Sequence, residues 1–168
     1  VDYALMDKYY FDASVRNDGC SRFGPNNKFA TFWAAGAMWK MKRESFLESA
    51  SWLDDLNFKV SYGTQGNSSI GDYQYLALVS ASSKYAEQSS MVVGQPSNYS
   101  LTWEKQALLT TGFNGRIANL IDFNIEYYHR KTSSMLMDVP YSYTTGFSSL
   151  YSNVGSLVNQ GLDITLGI

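Results

Sequence analysis

Cysteine and histidine are almost missing from this chain. Its 168 residues hold one of each, Cys20 and His129. A lone cysteine excludes an internal disulfide and any multi-cysteine metal site. A lone histidine excludes His-pair zinc chemistry and leaves a Ser-His-Asp arrangement only one residue to use. Charge is also scarce, at 17% Asp, Glu, Lys and Arg, where about 25% is usual. Net charge is −2, and no basic run exceeds residues 40–43, so no nucleic-acid partner is expected. Long apolar runs are absent as well. The longest covers residues 32–39, and a membrane helix needs about 20. No charged start followed by an apolar core is present, so no signal peptide is expected. The chain begins at Val1 rather than Met, and a longer parent protein is expected.

Aromatic residues are abundant: Tyr 13, Phe 9 and Trp 4, with Gly 13 and only Pro 3. A turn-rich, aromatic-rich, charge-poor chain points to β structure. The length corresponds to about one domain. A chain of this length can bury a core, which excludes disorder, and collagen, coiled coil and disulfide scaffolds are excluded as well.

Alternation with period two dominates. In residues 9–16 the odd positions Tyr9, Phe11, Ala13 and Val15 are apolar, against Asp12, Ser14 and Arg16. Tyr3 and Leu5 extend the odd set, with Asp7-Lys8 as a tight turn. Trp33, Ala35, Ala37, Trp39 and Met41 share one face of the next strand. Leu56, Phe58, Val60 and Tyr62 alternate with Asn57, Lys59 and Ser61. Ala107, Leu109, Thr111 and Phe113 lie on one side of residues 103–113. Ile121, Phe123, Ile125 and Tyr127 oppose Asp122, Asn124, Glu126 and Tyr128. Leu162, Ile164 and Leu166 close the chain. Asp18-Gly19 and Asn114-Gly115 read as turns, and residues 42–55 as one or two helical turns.

The pattern predicts about seven antiparallel strands, all-β, in a meander. Long polar connections (18–28, 64–102, 132–159) alternate with shorter ones. Outer-membrane barrels have this habit. A soluble β-sandwich also alternates apolar and polar positions, and a sandwich carbohydrate-binding module is the alternative. Aromatics at strand ends fit an interfacial girdle. Asp12, Arg16, Asn57, Lys59, Asn124 and Glu126 on the opposite face suit a wet lumen.

Specific stretches carry a resemblance. Residues 15–24 (Val-Arg-Asn-Asp-Gly-Cys-Ser-Arg-Phe-Gly) are similar to a "VRRDGSSRFG" stretch, departing at Asn17 and Cys20. Thr31-Phe32, with Gly36 to Lys40, is similar to the strand that follows. Residues 52–56 and 60–67 are similar to "WLNDLKLRASYGxTGN". Trp103-Glu104-Lys105 matches "TWEK". Residues 127–140 match "YxRKTxxLLxxVP". Thr144-Thr145-Gly146-Phe147, with residues 153–163, matches "TTGF…NVGxxxNxGxE". In order along nearly the whole chain, these resemble the SusC/RagA-type TonB-linked outer-membrane transporters. The resemblance implies a 22-stranded transmembrane barrel, of which residues 1–168 are about seven strands of one barrel domain, open here. It places the plug and the TonB-contacting N-terminal part outside these residues. Seven strands break the even count of single-chain barrels, and the Gly167-Ile168 end lacks the usual terminal aromatic, so an internal fragment is expected. It further implies a multi-pass protein of the cell outer membrane that imports oligosaccharide or peptide. The implied partners are outer-membrane lipids, a SusD-like surface lipoprotein and TonB.

Candidate functional residues are few. Aromatic faces stack on sugars and a phenol hydroxyl hydrogen-bonds, so the loop tyrosines Tyr73, Tyr75, Tyr85, Tyr99, Tyr141, Tyr143 and Tyr151 are candidate ligand contacts. Packing within the loops, or a place at the membrane interface, is the commoner role for such tyrosines. Arg16, Asp18, Gly19, Ser21, Arg22, Phe23 and Gly24 read as loop architecture, with Asp18-Gly19 turning the chain and Arg22 pairing locally. A ligand patch at Arg16, Asp18, Ser21 and Arg22 is the other reading. Gly63 and Gly66 read as backbone geometry at a strand exit. Glu104 and Glu126 are lone carboxylates on separate strands, without the paired arrangement of a glycosidase. His129 has no nucleophile elbow beside it. No catalytic residue, metal site or cofactor is expected.

Overall fold

A computed structural model of the chain describes residues 1–85 and 87–168, without the side chains of Ser82, Ser83, Tyr85 and Ser89. Eleven strands are described: β1 (Asp2–Leu5), β2 (Tyr9–Gly19), β3 (Phe29–Lys40), β4 (Leu53–Asn67), β5 (Leu78–Tyr85), β6 (Gln88–Gln95), β7 (Glu104–Ile117), β8 (Ile121–Ser133), β9 (Leu136–Pro140), β10 (Ser149–Asn153) and β11 (Ser156–Gly167). Seven form one antiparallel sheet in the order β1-β2-β3-β4-β7-β8-β11. They are the seven that alternation predicts. Nothing in the described chain packs against either face as a second sheet layer, which a sandwich requires.

Register sorts the side chains into two faces, because directly paired residues point the same way. Tyr9, Trp39, Phe58, Phe113, Ile125 and Ile164 form one row across six strands. Phe11, Ala37, Val60, Thr111, Tyr127 and Leu162 form the next. The ring pairs Trp33–Tyr62 (5.2 Å) and Phe58–Phe113 (5.0 Å) lie on this face. It remains open: Val15 is 74% exposed and Leu166 69%. The opposite face carries the rows Asp12, Gly36, Ser61, Thr110, Tyr128, Gly161 and Tyr10, Met38, Lys59, Gly112, Glu126, Asp163. Contiguous exposed apolar surface on this scale marks a membrane or protein contact.

The short-turn end is held by polar ties. Met6 and Asp7 turn β1 into β2, and Ala118 and Asn119 turn β7 into β8, all with φ near +50°, the backbone that tight hairpins need. Between β3 and β4 lie a 3-10 turn (Met41–Arg43) and a short helix, α1 (Ser45–Glu48). There the Glu44 carboxylate accepts hydrogen bonds from Tyr9 OH (2.8 Å), Trp39 Nε1 (3.2 Å) and Lys8 Nζ (3.2 Å). Lys42 Nζ donates to the carbonyls of Leu47 (3.0 Å) and Ala50 (2.7 Å), where the ending helix leaves acceptors free. The ladder shifts register at Asp54, between Leu53 and Asp55. The Asp54 carboxylate accepts from Asn119 N–H at 2.6 Å and so caps the β7–β8 turn.

Four local expectations differ from the structure. Asn114-Gly115 does not turn: both lie inside β7, opposite Asn57 and Leu56, and the chain reverses at Ala118-Asn119 instead. Gly115 is there for close packing, since a Cβ would lie 2.9 Å from the Phe123 ring. Asp18-Gly19 also stays in strand, paired with Ala30 and Phe29; the reversal comes in residues 20–28. In both cases the ladder's hydrogen bonds outweigh a local turn preference. The long connections are not purely loops, because β5–β6 and β9–β10 form two-stranded hairpins of their own. Finally, Gly63 and Gly66 have no positive φ. A Cβ on Gly66 would occupy the Phe32 ring, so this glycine makes room for a side chain.

Candidate binding site at the long-loop end

The largest buried apolar cluster lies among the long connections. Phe23 (0% exposed), Phe32, Ile70, Leu101 and Trp103 pack together. Cys20, Ala30, Tyr75, Leu136 and Tyr151 lean on them. The Trp103 ring meets Phe23 at 5.3 Å and Phe32 at 5.9 Å, tilted and edge-on, as ring quadrupoles prefer. Its Nε1 donates to the Lys28 carbonyl at 3.3 Å. Three sequence-distant connections thus share one small core.

Side-chain amides stitch them further. Asn27 Nδ2 donates to the Leu101 carbonyl (3.2 Å). Asn98 Nδ2 donates to the Tyr151 carbonyl (2.8 Å). Asn153 Nδ2 donates to the carbonyls of Thr102 (2.8 Å) and Ser134 (2.9 Å), and its Oδ1 accepts from Thr102 N–H (2.8 Å). Glu104 Oε2 accepts from Leu136 N–H at 3.1 Å. Gln95 Nε2 donates to the carbonyls of Gln74 and Leu76. Irregular backbone has polar groups that must be paired, and asparagine and glutamine supply them here. The composition shows these amides, but not which carbonyls they reach.

Against this base the candidate tyrosines divide. Tyr75 and Tyr151 are half-buried in the cluster. Tyr73, Tyr99, Tyr141 and Tyr143 are exposed, Tyr143 most of all at 86%. Tyr99 meets Tyr75 edge-on at 6.2 Å. Tyr143 opens a 3-10 turn (Tyr143–Thr145) between β9 and β10, closed by Gly146 at φ +82°. The Tyr85 side chain lies outside the described residues. Among the described candidates, Tyr75 and Tyr99 have a ring contact between them.

Among the residues read as loop architecture, Arg16, Asp18 and Gly19 belong to β2. Arg16 pairs with Asp18 at 3.3 Å and sits over the Phe32 ring at 5.5 Å. Arg22 does not pair locally; its Nε reaches Asp72 at 3.0 Å, fifty residues away. Ser21 is exposed. Phe23 is the buried centre, and a Cβ on Gly24 would lie 3.1 Å from the Tyr99 carbonyl. The segment therefore braces the second long connection as well as shaping its own. Neither Arg22 nor Phe23 could have been matched to Asp72 or Trp103 by spacing.

The polar face of the sheet leads away from this end. A groove there is lined by Glu126, Tyr128, Arg130, Asn159 and Asp163, and another by Asp12, Lys59, Ser61 and Asn124. Glu126 and Asp163 are directly paired across β8 and β11. His129 is on the other, apolar-side face, with Nδ1 3.1 Å from Gln160 Oε1.

The family model for the TonB dependent receptor-like β-barrel matches residues 1–168. The chain belongs to this family. It is 35% identical over 179 residues to the TonB-dependent receptor SusC of Bacteroides thetaiotaomicron, covering 99% of this chain and 17% of that protein. It is 34% identical over 174 residues to TonB-dependent receptor P26 of Formosa agariphila, with the same coverage. Among solved structures it is similar to the RagAB peptide importer in the closed-closed state. The TM-score is 0.90 at 40% identity, over 98% of this chain and 18% of that one. The open-open state of RagAB gives 0.88. The chain thus spans about a sixth of the length of these relatives. Its seven-stranded sheet is part of a barrel wall, open in these residues, and the sandwich alternative is set aside by the fold match.

Proposed function

We propose that this chain is part of an outer-membrane TonB-dependent nutrient transporter. The protein binds oligosaccharide or peptide and imports it unchanged. The single observation that supports this reading is the two-faced single-layer sheet. One face is apolar and uncovered across all seven strands, the other is polar. Such a sheet belongs in a barrel wall, with lipid outside and water within.

Residues 1–168 form part of one barrel domain and contain no plug. The wall crosses the outer membrane several times, with the long connections outside the cell and the short turns in the periplasm. A SusD-like surface lipoprotein covers the long-loop end. TonB acts through the N-terminal part of the full-length protein, and the polar face lines the path. Tyr73, Tyr99, Tyr141 and Tyr143 contact the ligand, while Tyr75 and Tyr151 hold the loops. No bond of the ligand is made or broken.

Full-length protein with its lipoprotein is the material for the test. Peptide and oligosaccharide pools are offered, and bound species are released and weighed by mass spectrometry. One class is expected to be retained with its mass unchanged. Tyr99→Ala and Tyr143→Ala are expected to weaken retention without altering the barrel's heat-modifiable gel migration. Recovery of cleaved ligand, or retention of neither class, refutes the proposal.

A further inference from the structure

We propose that the apolar face carries a binding site for a phosphate-bearing lipid headgroup, built on Lys105 and Lys131 at its long-loop edge. This rests on the barrel-wall reading above. Register places both lysines on the apolar side. Ala107 pairs with Lys131 one row beyond the pair Leu109 and His129, and Lys105 pairs with Ser133 in the row after that. The cavity geometry agrees independently, since one surface cavity is lined by Trp33, Thr64, Lys105, Ala107, Lys131 and Ser133. Residues from β3, β4, β7 and β8 meet there, so the site is part of the wall and not of a loop.

The charge there lacks a counter-ion. Lys105 and Lys131 are both exposed. Neither is in any ion pair among the described residues. At the short-turn end Lys8, Arg43 and Arg116 have acidic partners in Glu44, Asp7 and Asp122, while Lys42 is held by backbone carbonyls and Lys40 lies over the Tyr10 ring. An ammonium beside hydrocarbon is costly unless it reaches water or an anion. Lysine stems lie along apolar surface and carry the charge outward. Trp33 lines the same cavity and meets the Tyr62 ring, and Leu109 sits directly opposite Tyr62 on the same face, so an apolar surface for acyl chains adjoins the lysines. A lipid with an anionic phosphate at its head meets both demands in one molecule: chains on the rings, phosphate between the lysines. A free anion meets only the second and a neutral lipid only the first.

The test uses native mass spectrometry of the full-length protein in detergent. The probes are phosphatidic acid, diacylglycerol (the same molecule without phosphate) and inorganic phosphate. Wild type is expected to hold phosphatidic acid in preference to the other two. Lys105→Gln with Lys131→Gln is expected to weaken it about thirtyfold, at about fivefold for each cation lost near a phosphate surface. Lys105→Arg with Lys131→Arg is expected to retain it. Equal retention of diacylglycerol, tight retention of inorganic phosphate, or undiminished phosphatidic acid binding by the double glutamine variant overturns the site. A separate readout guards the underlying reading: a nitroxide at Val60→Cys, in a Cys20→Ser background, in vesicles. If it contacts aqueous nickel chelate more than dissolved oxygen, the barrel-wall reading fails, whatever the lysines do. If it contacts oxygen more and the lysine variants still bind, only the lipid site fails.

Discussion

Replacing Phe23 with alanine tests whether the long connections are one cooperative unit. Phe23 is fully buried and its ring lies 5.3 Å from that of Trp103, which also abuts Phe32. Truncating a fully buried phenylalanine costs about 3–5 kcal/mol. Part of this is the ring pair itself, about 0.5–1.5 kcal/mol. Phe23 shares its cluster with Phe32 of β3 and with Ile70, Leu101 and Trp103 from the stretch between β4 and β7, so the cavity cannot close by a shift of one segment. The loss is local, because none of the seven main strands rests on Phe23 except at the Phe32 end of β3. The opening equilibrium of the cluster is therefore expected to rise by about a hundredfold to a few thousandfold at 1.4 kcal/mol per decade. The rise stops where the cluster is already open. Hydrogen exchange on the full-length protein reads this directly. Amides such as Leu101 N–H, bonded to Asn98 O at 3.3 Å, and Asn27 N–H, bonded to Gly24 O at 2.9 Å, are expected to exchange faster together. Amides in the middle of β4, β7 and β8 are expected to keep their protection. Phe23→Leu gives a smaller rise in the same peptides. Acceleration in residues 20–28 alone, or uniform acceleration through the sheet, refutes the shared-core argument.

Three further outcomes follow from particular contacts. Asn153→Ala removes two donated bonds and one accepted bond at once; at about 1–3 kcal/mol for each group left unpaired, β9 and β10 are expected to detach, seen as new protease cleavage within residues 134–155. Gly112→Ala places a Cβ 2.9 Å from Glu126 Cα, against backbone that cannot move aside; about 1–3 kcal/mol of overpacking is expected to lower the temperature of the heat-modifiable gel shift. Hydrogen bonds to Glu44, from Tyr9 first and then Trp39 and Lys8, hold its carboxyl below the ordinary range. A lowered folded pKa means that the tie is present above the ordinary carboxylate value of about 4.3 and is lost as pH falls through the lowered one. Trp39 emission is therefore expected to hold steady from neutral pH through the ordinary carboxylate range and change only below it. Glu44→Gln is expected to abolish that step, and a change centred at ordinary carboxylate pH refutes it.

The local signals misled where they competed with the ladder. Asn114-Gly115 has the composition of a hairpin turn, yet Asn57 and Asn124 pair with Asn114 on either side. Two neighbouring strands decide such a position, and a dipeptide cannot report them. The β5–β6 and β9–β10 hairpins carry no such signal because their strands are short and lack two-residue contrast: every residue of Ser149–Asn153 is half-buried. In Leu136–Pro140 only Asp138 interrupts the apolar residues. Arg22 looked local because only the fold brings Asp72 beside it.

The sequence by itself determined that seven strands alternate, which residues share a face, and at which end the connections are long. Those are consequences of a two-residue repeat, and a repeat is written in the order of residues. Only the tertiary structure decided that the largest apolar core among the described residues lies in the connections, that Tyr75 and Tyr151 are packed while Tyr99 and Tyr143 are exposed, and that Lys105 and Lys131 share one cavity. Each of these depends on residues tens of positions apart meeting in space. Register between strands carries that information, and no single strand contains it.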